Sequence, residues 1–255
     1  MSLATLLVLA DGRLPAGGHA HSGGLEAQVA AGRIRGLDDV YAFLRGRLNT
    51  GGLVAAAFAA AACRRPAEWA ALDEAFDART PSPALRKASR AQGRALLRAG
   101  RSMWPLPKSA HTTASPTPGP AAASPAAQAA GSSAPRPAGS LAGSPAGGSA
   151  PREMHQPIAL GLLAAGAGLG PLEAAVAAAH GTTTGAASAA VRLLGLDPYA
   201  VHGLIARLAP DCDRIAALAA RRSDDPVDDL PAAGSPLLDI GAEHHATWEV
   251  RLFAS

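Results

Sequence analysis

His19 and His21 stand one residue apart in a glycine-rich stretch, Leu14-Pro15-Ala16-Gly17-Gly18-His19-Ala20-His21-Ser22-Gly23-Gly24-Leu25-Glu26. Two imidazoles at that spacing could share a divalent metal ion. No other ligand-type side chain lies close by in sequence, so hydrogen bonding within a tight loop is the simpler use of the pair. Pro15, Gly17, Gly18, Ser22 and Gly24 would shape that loop, whose glycines predict positive φ and then a helix start. His244 and His245, beside Glu243, invite the same question. Adjacent side chains on a helix diverge by about 100°, so the two would meet one ion only on an irregular backbone. These four histidines are candidates, and no metal site is assigned from them.

Other chemistry finds no footing. The chain has no GxxxxGK[ST] phosphate loop, and neither lysine, Lys87 or Lys108, follows a glycine. There is no GxGxxG after a strand, no GxSxG elbow and no HExxH. His155, His180 and His202 each sit alone on an Ala-rich background, as hydrogen-bonded core or interface histidines do. Asp224, Asp225, Asp228 and Asp229 cluster around Pro226 and read as a solvated loop. Cys63 and Cys212 form no CxxC pair, which leaves two buried free thiols rather than a disulfide or zinc framework. We therefore expect no catalytic residues, and an interaction protein rather than an enzyme.

The elements that carry these residues are helical. Val40, Phe43, Leu44 and Leu48 follow i, i+3, i+4, i+8 after a start at Asp38 or Asp39, and Trp69, Leu72 and Phe76 repeat the pattern after Pro66. A third helix spans about 84–99, with Leu85, Ala88, Gln92, Leu96 and Ala99 on one side and Arg90, Arg94 and Arg101 on the other. Ile158 to Ala167 predicts a buried helix, and Pro171 opens another at the first-turn position. A separate segment covers Thr184 to Leu194. Asp197-Pro198 then predicts an N-cap and N1 proline for a helix with Val201, Leu204, Ile205 and Leu208 inward, stopped at Pro210. Cys212, Ile215, Leu218 and Ala219 mark a further helix, and residues 236–255 form a tail. Residues 107–151 are almost wholly Ala, Ser, Pro, Gly and Thr; they cannot bury enough apolar surface to offset chain entropy and are expected to be a disordered insertion.

Composition agrees with an all-α class: 48% of the 255 residues are hydrophobic, chiefly Ala and Leu, and only 4% are aromatic. The expected fold is a single helical-bundle domain over 1–255, with about eight to ten helices interrupted by the insertion. The net charge of +3 comes from scattered arginines without aromatic stacking partners, which argues against nucleic-acid binding. The uncharged stretches Leu48–Cys63 and His155–Leu172 fall short of the about 20 strongly apolar residues a bilayer crossing needs. The apolar start, Met1 to Ala10, lacks a basic n-region, so a cytoplasmic protein is expected.

Five segments, taken in order, resemble the UreF family of urease accessory proteins. Leu14 to Glu26 is similar to its LP-x-G-G-x-x-x-S-x-G-L-E element, with His19 where Phe is common. Ser89-Arg90-Ala91-Gln92-Gly93-Arg94 resembles its S-x-x-Q-G-R helix, and His155-Gln156-Pro157-Ile158-Ala159-Leu160-Gly161 its H-x-P-V-x-x-G start. Ser188 to Leu193 resembles S-A-A-V-R-L. Asp239-Ile240 with Arg251-Leu252-Phe253-Ala254-Ser255 resembles its D-I…R-L-F-x-S ending.

The resemblance implies an all-α protein, usually a dimer, that binds UreD (also called UreH) and the GTPase UreG. Together these dock on apo-urease and deliver nickel when GTP is hydrolysed. It would hold no cofactor stably, nickel being handled by the complex and GTP by the partner. Partner-binding candidates are Glu26, Gln92, Gly93, Arg94, Arg192, Arg251, Leu252, Phe253 and Ser255. Leu252 and Phe253 could dock on UreD or fold back on their own helices. Two other readings stay open: direct nickel carriage by His19, His21, His244 and His245, and activation of UreG turnover through Arg94 or Arg192.

Overall fold

The computed structural model describes residues 2–14, 17–106 and 153–254, and among these residues there are helices and no strands. Pro15, Ser255 and the predicted insertion at 107–151 lie outside the described residues. The all-α expectation holds. Among the described residues ten α-helices run as α1 Leu3–Ala10, α2 Leu25–Ala30, α3 Leu37–Arg47, α4 Leu53–Arg64, α5 Trp69–Ala78, α6 Pro83–Gly100, α7 Gln156–Gly166, α8 Pro171–Leu194, α9 Pro198–Arg221 and α10 Pro236–Ala246.

Helix starts follow local chemistry. Ser82 caps α6 by accepting from the Leu85 N–H, and Asp197 caps α9 by accepting from the Tyr199 and Ala200 N–H groups. Prolines occupy the first turns of α6, α7, α8, α9 and α10, where a missing N–H leaves no bond unmade. Glu173 reaches back from the first turn of α8 to accept from the Gly170 N–H at 3.0 Å.

α4 is the centre of the fold, buried from Ala56 through Cys63 and covered by α7, α8 and α9. Its six buried alanines and Phe58 show how an aromatic-poor chain makes a core: small side chains bring helix backbones together, and a few large ones fill the gaps. Phe58 meets Phe76 of α5 edge to face, with ring centroids 5.3 Å apart. Gly93 of α6 lies against the Met154 carbonyl, where a Cβ would collide with it. A second apolar cluster joins Leu25, Val40 and Leu44 to Ala186–Ala190, Val201, Leu204 and Leu208, and it includes Phe253.

Three expectations need correction. α9 runs straight through Pro210 to Arg221. The proline only removes the donor that the Ala206 carbonyl would have used, and the buried residues on either side, Leu208 and Cys212, keep the helix on its neighbours. Likewise Thr184 does not begin a new helix, because α8 continues across Gly181–Gly185. There the Thr182 hydroxyl bonds back to the Ala178 carbonyl, and those of Thr183 and Thr184 to the His180 carbonyl. Finally, Arg90 does not lie on a solvent side of α6; it faces α5 and forms two ion pairs there. α3 and α4 are also joined by a π-helical turn, Leu48–Gly52, so that the chain stays helical from Leu37 to Arg64.

Candidate functional site

The glycine-rich loop folds as expected into a tight turn and a helix start. Gly17 takes φ 72°, a 3₁₀ turn follows at Gly18–Ala20, and Gly23 and Gly24 take φ 64° and 89° before α2 begins. Two successive left-handed residues turn the chain sharply enough to point Glu26, in the first turn of α2, into the protein. The buried Ser22 hydroxyl accepts from the Glu26 N–H at 3.3 Å.

The Glu26 carboxylate closes a clasp on the far end of the chain. Its Oε2 accepts from His245 Nε2 at 2.9 Å and from the Phe253 N–H at 3.0 Å, and its Oε1 accepts from the Leu252 N–H at 2.8 Å. The Ala254 N–H donates to the Ala20 carbonyl at 2.7 Å. Arg192, from the end of α8, donates to the His19 carbonyl at 2.7 Å and lays its guanidinium over the Phe253 ring, 4.3 Å from the centroid. A buried carboxylate is tolerable only when its lone pairs are filled, and three donors from one segment fill these. The structure thus gathers three of the five motifs, around Glu26, Arg192 and 251–254, in one place.

α10 is pinned separately. Glu243 Oε1 accepts from the Ser82 hydroxyl and, at 2.9 Å, from the Ala84 N–H, which places a carboxylate at the N-terminus of α6. The Ser82 and Ala84 bonds hold Glu243 below the usual carboxylate pKa.

The histidine candidates do not converge. His245 is buried against Glu26, whereas His244 is exposed and its Nδ1 accepts from Trp248 Nε1 at 3.3 Å. His19 is exposed; burial, and after it the neighbouring His19, pushes His21 below the usual imidazole pKa. Among the described residues, no three His, Cys, Asp or Glu side chains stand close enough to hold a metal ion.

The other two motifs meet where α6 packs on α7. The Ser89 hydroxyl accepts from the Gln156 N–H at 3.2 Å, just below the Gly93–Met154 contact. Beneath them lies a charged brace that sequence reasoning missed. Asp73 accepts from the His155 N–H at 2.7 Å and pairs with Arg90 at 2.9 Å; Asp77 bonds Arg90 at 2.8 Å and His155 Nε2 at 3.0 Å. His155 is fully buried with its ring 4.9 Å from that of Phe76. Burial lowers its pKa despite the Asp77 bond, while burial of Asp77 is outweighed by Arg90 and His155, which hold that carboxyl low. The signal was present as i, i+4 pairs, Asp73/Asp77 on one helix and Arg86/Arg90 on the next.

The remaining candidates are at the surface. Arg94 is exposed and pairs with Glu153 at 2.9 Å, Arg251 is exposed, and Gln92 lines a cavity. Leu252 is 70% exposed next to a Phe253 that is only 3% exposed. Leu237 and Ile240 on α10, and Val250 in the segment after it, are exposed like Leu252.

A family model, UreF, matches residues 34–209. The chain is 42% identical to a urease accessory protein UreF of Mycobacterium sp. (strain JLS), over 100% of this chain and 99% of that protein. It is 39% identical to one from Mycolicibacterium vanbaalenii and 37% identical to one from Mycobacterium tuberculosis (strain H37Rv), with the same coverage of both chains in each case.

Proposed function

Because the chain belongs to the UreF family of urease accessory proteins, we propose that it is a non-enzymatic scaffold in the maturation of urease. In this reading it works in the cytoplasm as a dimer, binds UreD and the GTPase UreG, and with them docks on apo-urease to deliver nickel. Nickel is cargo of the complex, and GTP is bound by the partner; this chain has no phosphate loop of its own.

The observation that carries the reading is the exposure of Leu237, Ile240, Val250 and Leu252 on a segment that Glu26 and Glu243 fix in place. Four large apolar side chains kept in water by a built anchorage fit a preformed docking face, here for UreD. Arg251 and Arg94 add bidentate donors for acidic partner surfaces.

A strain lacking this protein is expected to make normal amounts of urease protein without nickel, and active, metal-loaded urease in that strain would refute the scaffold role. Deleting residues 236–255 should abolish co-purification with UreD; unchanged recovery would remove this face from the proposal.

A further inference from the structure

Two cavities, of about 220 and 610 Å³, share a wall made by Gly23, Arg47, Gln92, Gln156 and Thr182. Arg47 reaches this wall from the end of α3. One guanidinium nitrogen donates to the Gly23 carbonyl, and the shielded Nε has no acceptor. Among the described residues no carboxylate pairs with Arg47. Nor does the 107–152 stretch contain an Asp or Glu that could do so.

Arg47 is half-buried, with its Nε shielded, and a cation drawn partly out of water without a counter-charge is disfavoured, so such groups are ordinarily paired. Burial lowers the Arg47 pKa to about 10 with no opposing contribution from an acid. The same wall carries two amides, Gln92 and Gln156, for whose side chains the described residues supply no hydrogen-bond partner. The Ser89 hydroxyl, which accepts from the Gln156 N–H, keeps its own proton free to donate.

Asp239 is the carboxylate on the smaller cavity; it forms no ion pair with Arg47, and burial pushes its pKa up. Asp11, on the larger, is already paired with Arg13. Against them stand Arg47, Arg79 and Arg192; the two terminal nitrogens of Arg79 are committed to backbone carbonyls, while its Nε, like that of Arg47, has no acceptor.

We infer that Arg47, Gln92, Gln156 and Ser89 form a binding site for a small inorganic oxyanion of the size of phosphate, sulfate or bicarbonate. The anion would supply the charge that Arg47 lacks, accept from the two amides and the Ser89 hydroxyl, and fill space between α3, α6 and α7. This site is independent of the scaffold reading and would stand if that reading failed.

The test is calorimetric titration of the full chain with inorganic phosphate, sulfate and bicarbonate in separate runs against a chloride blank, with thermal melts alongside. We expect saturable one-to-one binding by at least one of the three and a rise in Tm with its concentration. In Arg47→Met, binding should weaken by at least about tenfold, while the Tm in chloride alone should not fall below that of the unaltered protein. If that variant does not fold, Gln92→Leu with Gln156→Leu should weaken binding with Arg47 left in place. Absence of saturable binding to all three anions would overturn the site, and so would affinity unchanged by either substitution set.

Discussion

The Glu26 carboxylate and the Phe253 N–H lie 3.0 Å apart across 227 residues of sequence, and the same carboxylate takes the Leu252 N–H and His245 Nε2. One side chain near the start of the chain therefore fixes the path of its end. Replacing it leaves two backbone donors and an imidazole without an acceptor. Glu26→Ala should cost about 1–3 kcal/mol, which at this size lowers Tm by about 2–4 °C per kcal/mol. Hydrogen exchange should quicken at 252–254 and leave α4 unchanged; equal protection of 252–254 in both proteins would show that the clasp is unimportant.

Phe253 and Leu252 are adjacent but face opposite ways, one in the second apolar cluster and one in water. Phe253→Ala should destabilise the fold, by about 3–5 kcal/mol if the site behaves as a full core position. Leu252→Ala should leave the unfolding free energy from urea titration within about 0.5 kcal/mol and weaken recovery of UreD. A reversal of this order would mean that the two side chains are exchanged.

Acid should weaken the protein in two stages. His155 has a lowered pKa, so the unfolded chain takes up protons first, and stability present above about 6.5 is lost as pH falls from there toward the folded value. His21 and His180, also lowered by burial, act in the same direction. Asp77, held low, adds stability that is present above about 3.9 and is lost as pH falls through its folded pKa. Urea midpoints should fall from pH 8 toward pH 4 and again below pH 4, and His155→Gln should flatten the slope between pH 6.5 and 5. An identical slope in the variant would take His155 out of the account.

Gly93→Ala would push a Cβ into the Met154 carbonyl, a backbone atom with little room to move. The expected loss is about 1–3 kcal/mol, whereas Gly203→Ala, in open space within α9, should be neutral or stabilising. Paired urea titrations would decide, and equal midpoints for the two variants would contradict the close approach of α6 to Met154.

The helical class, the caps at Asp197 and Pro198, and the turn at Gly23-Gly24 were legible because each rests on neighbours in sequence. The continuity of α8 and α9 was not. Pro210 and the Gly181–Gly185 stretch are local breakers, and tertiary packing on both flanks overrides them. The motifs marked Glu26, Arg192 and Phe253 separately, but nothing in their spacing showed that they touch, since a hydrogen bond 227 residues long leaves no periodic trace. Arg47 escaped notice for a related reason: an arginine is remarkable only when its surroundings lack an acid, and surroundings are known only after folding.

The clasp also orders events during synthesis. Leu252 leaves the ribosome 226 residues after Glu26, so that carboxylate waits, without its partners, for most of translation. A nascent chain cut short just before 252 would carry α1 to α10 and still leave Glu26 without either of its backbone donors.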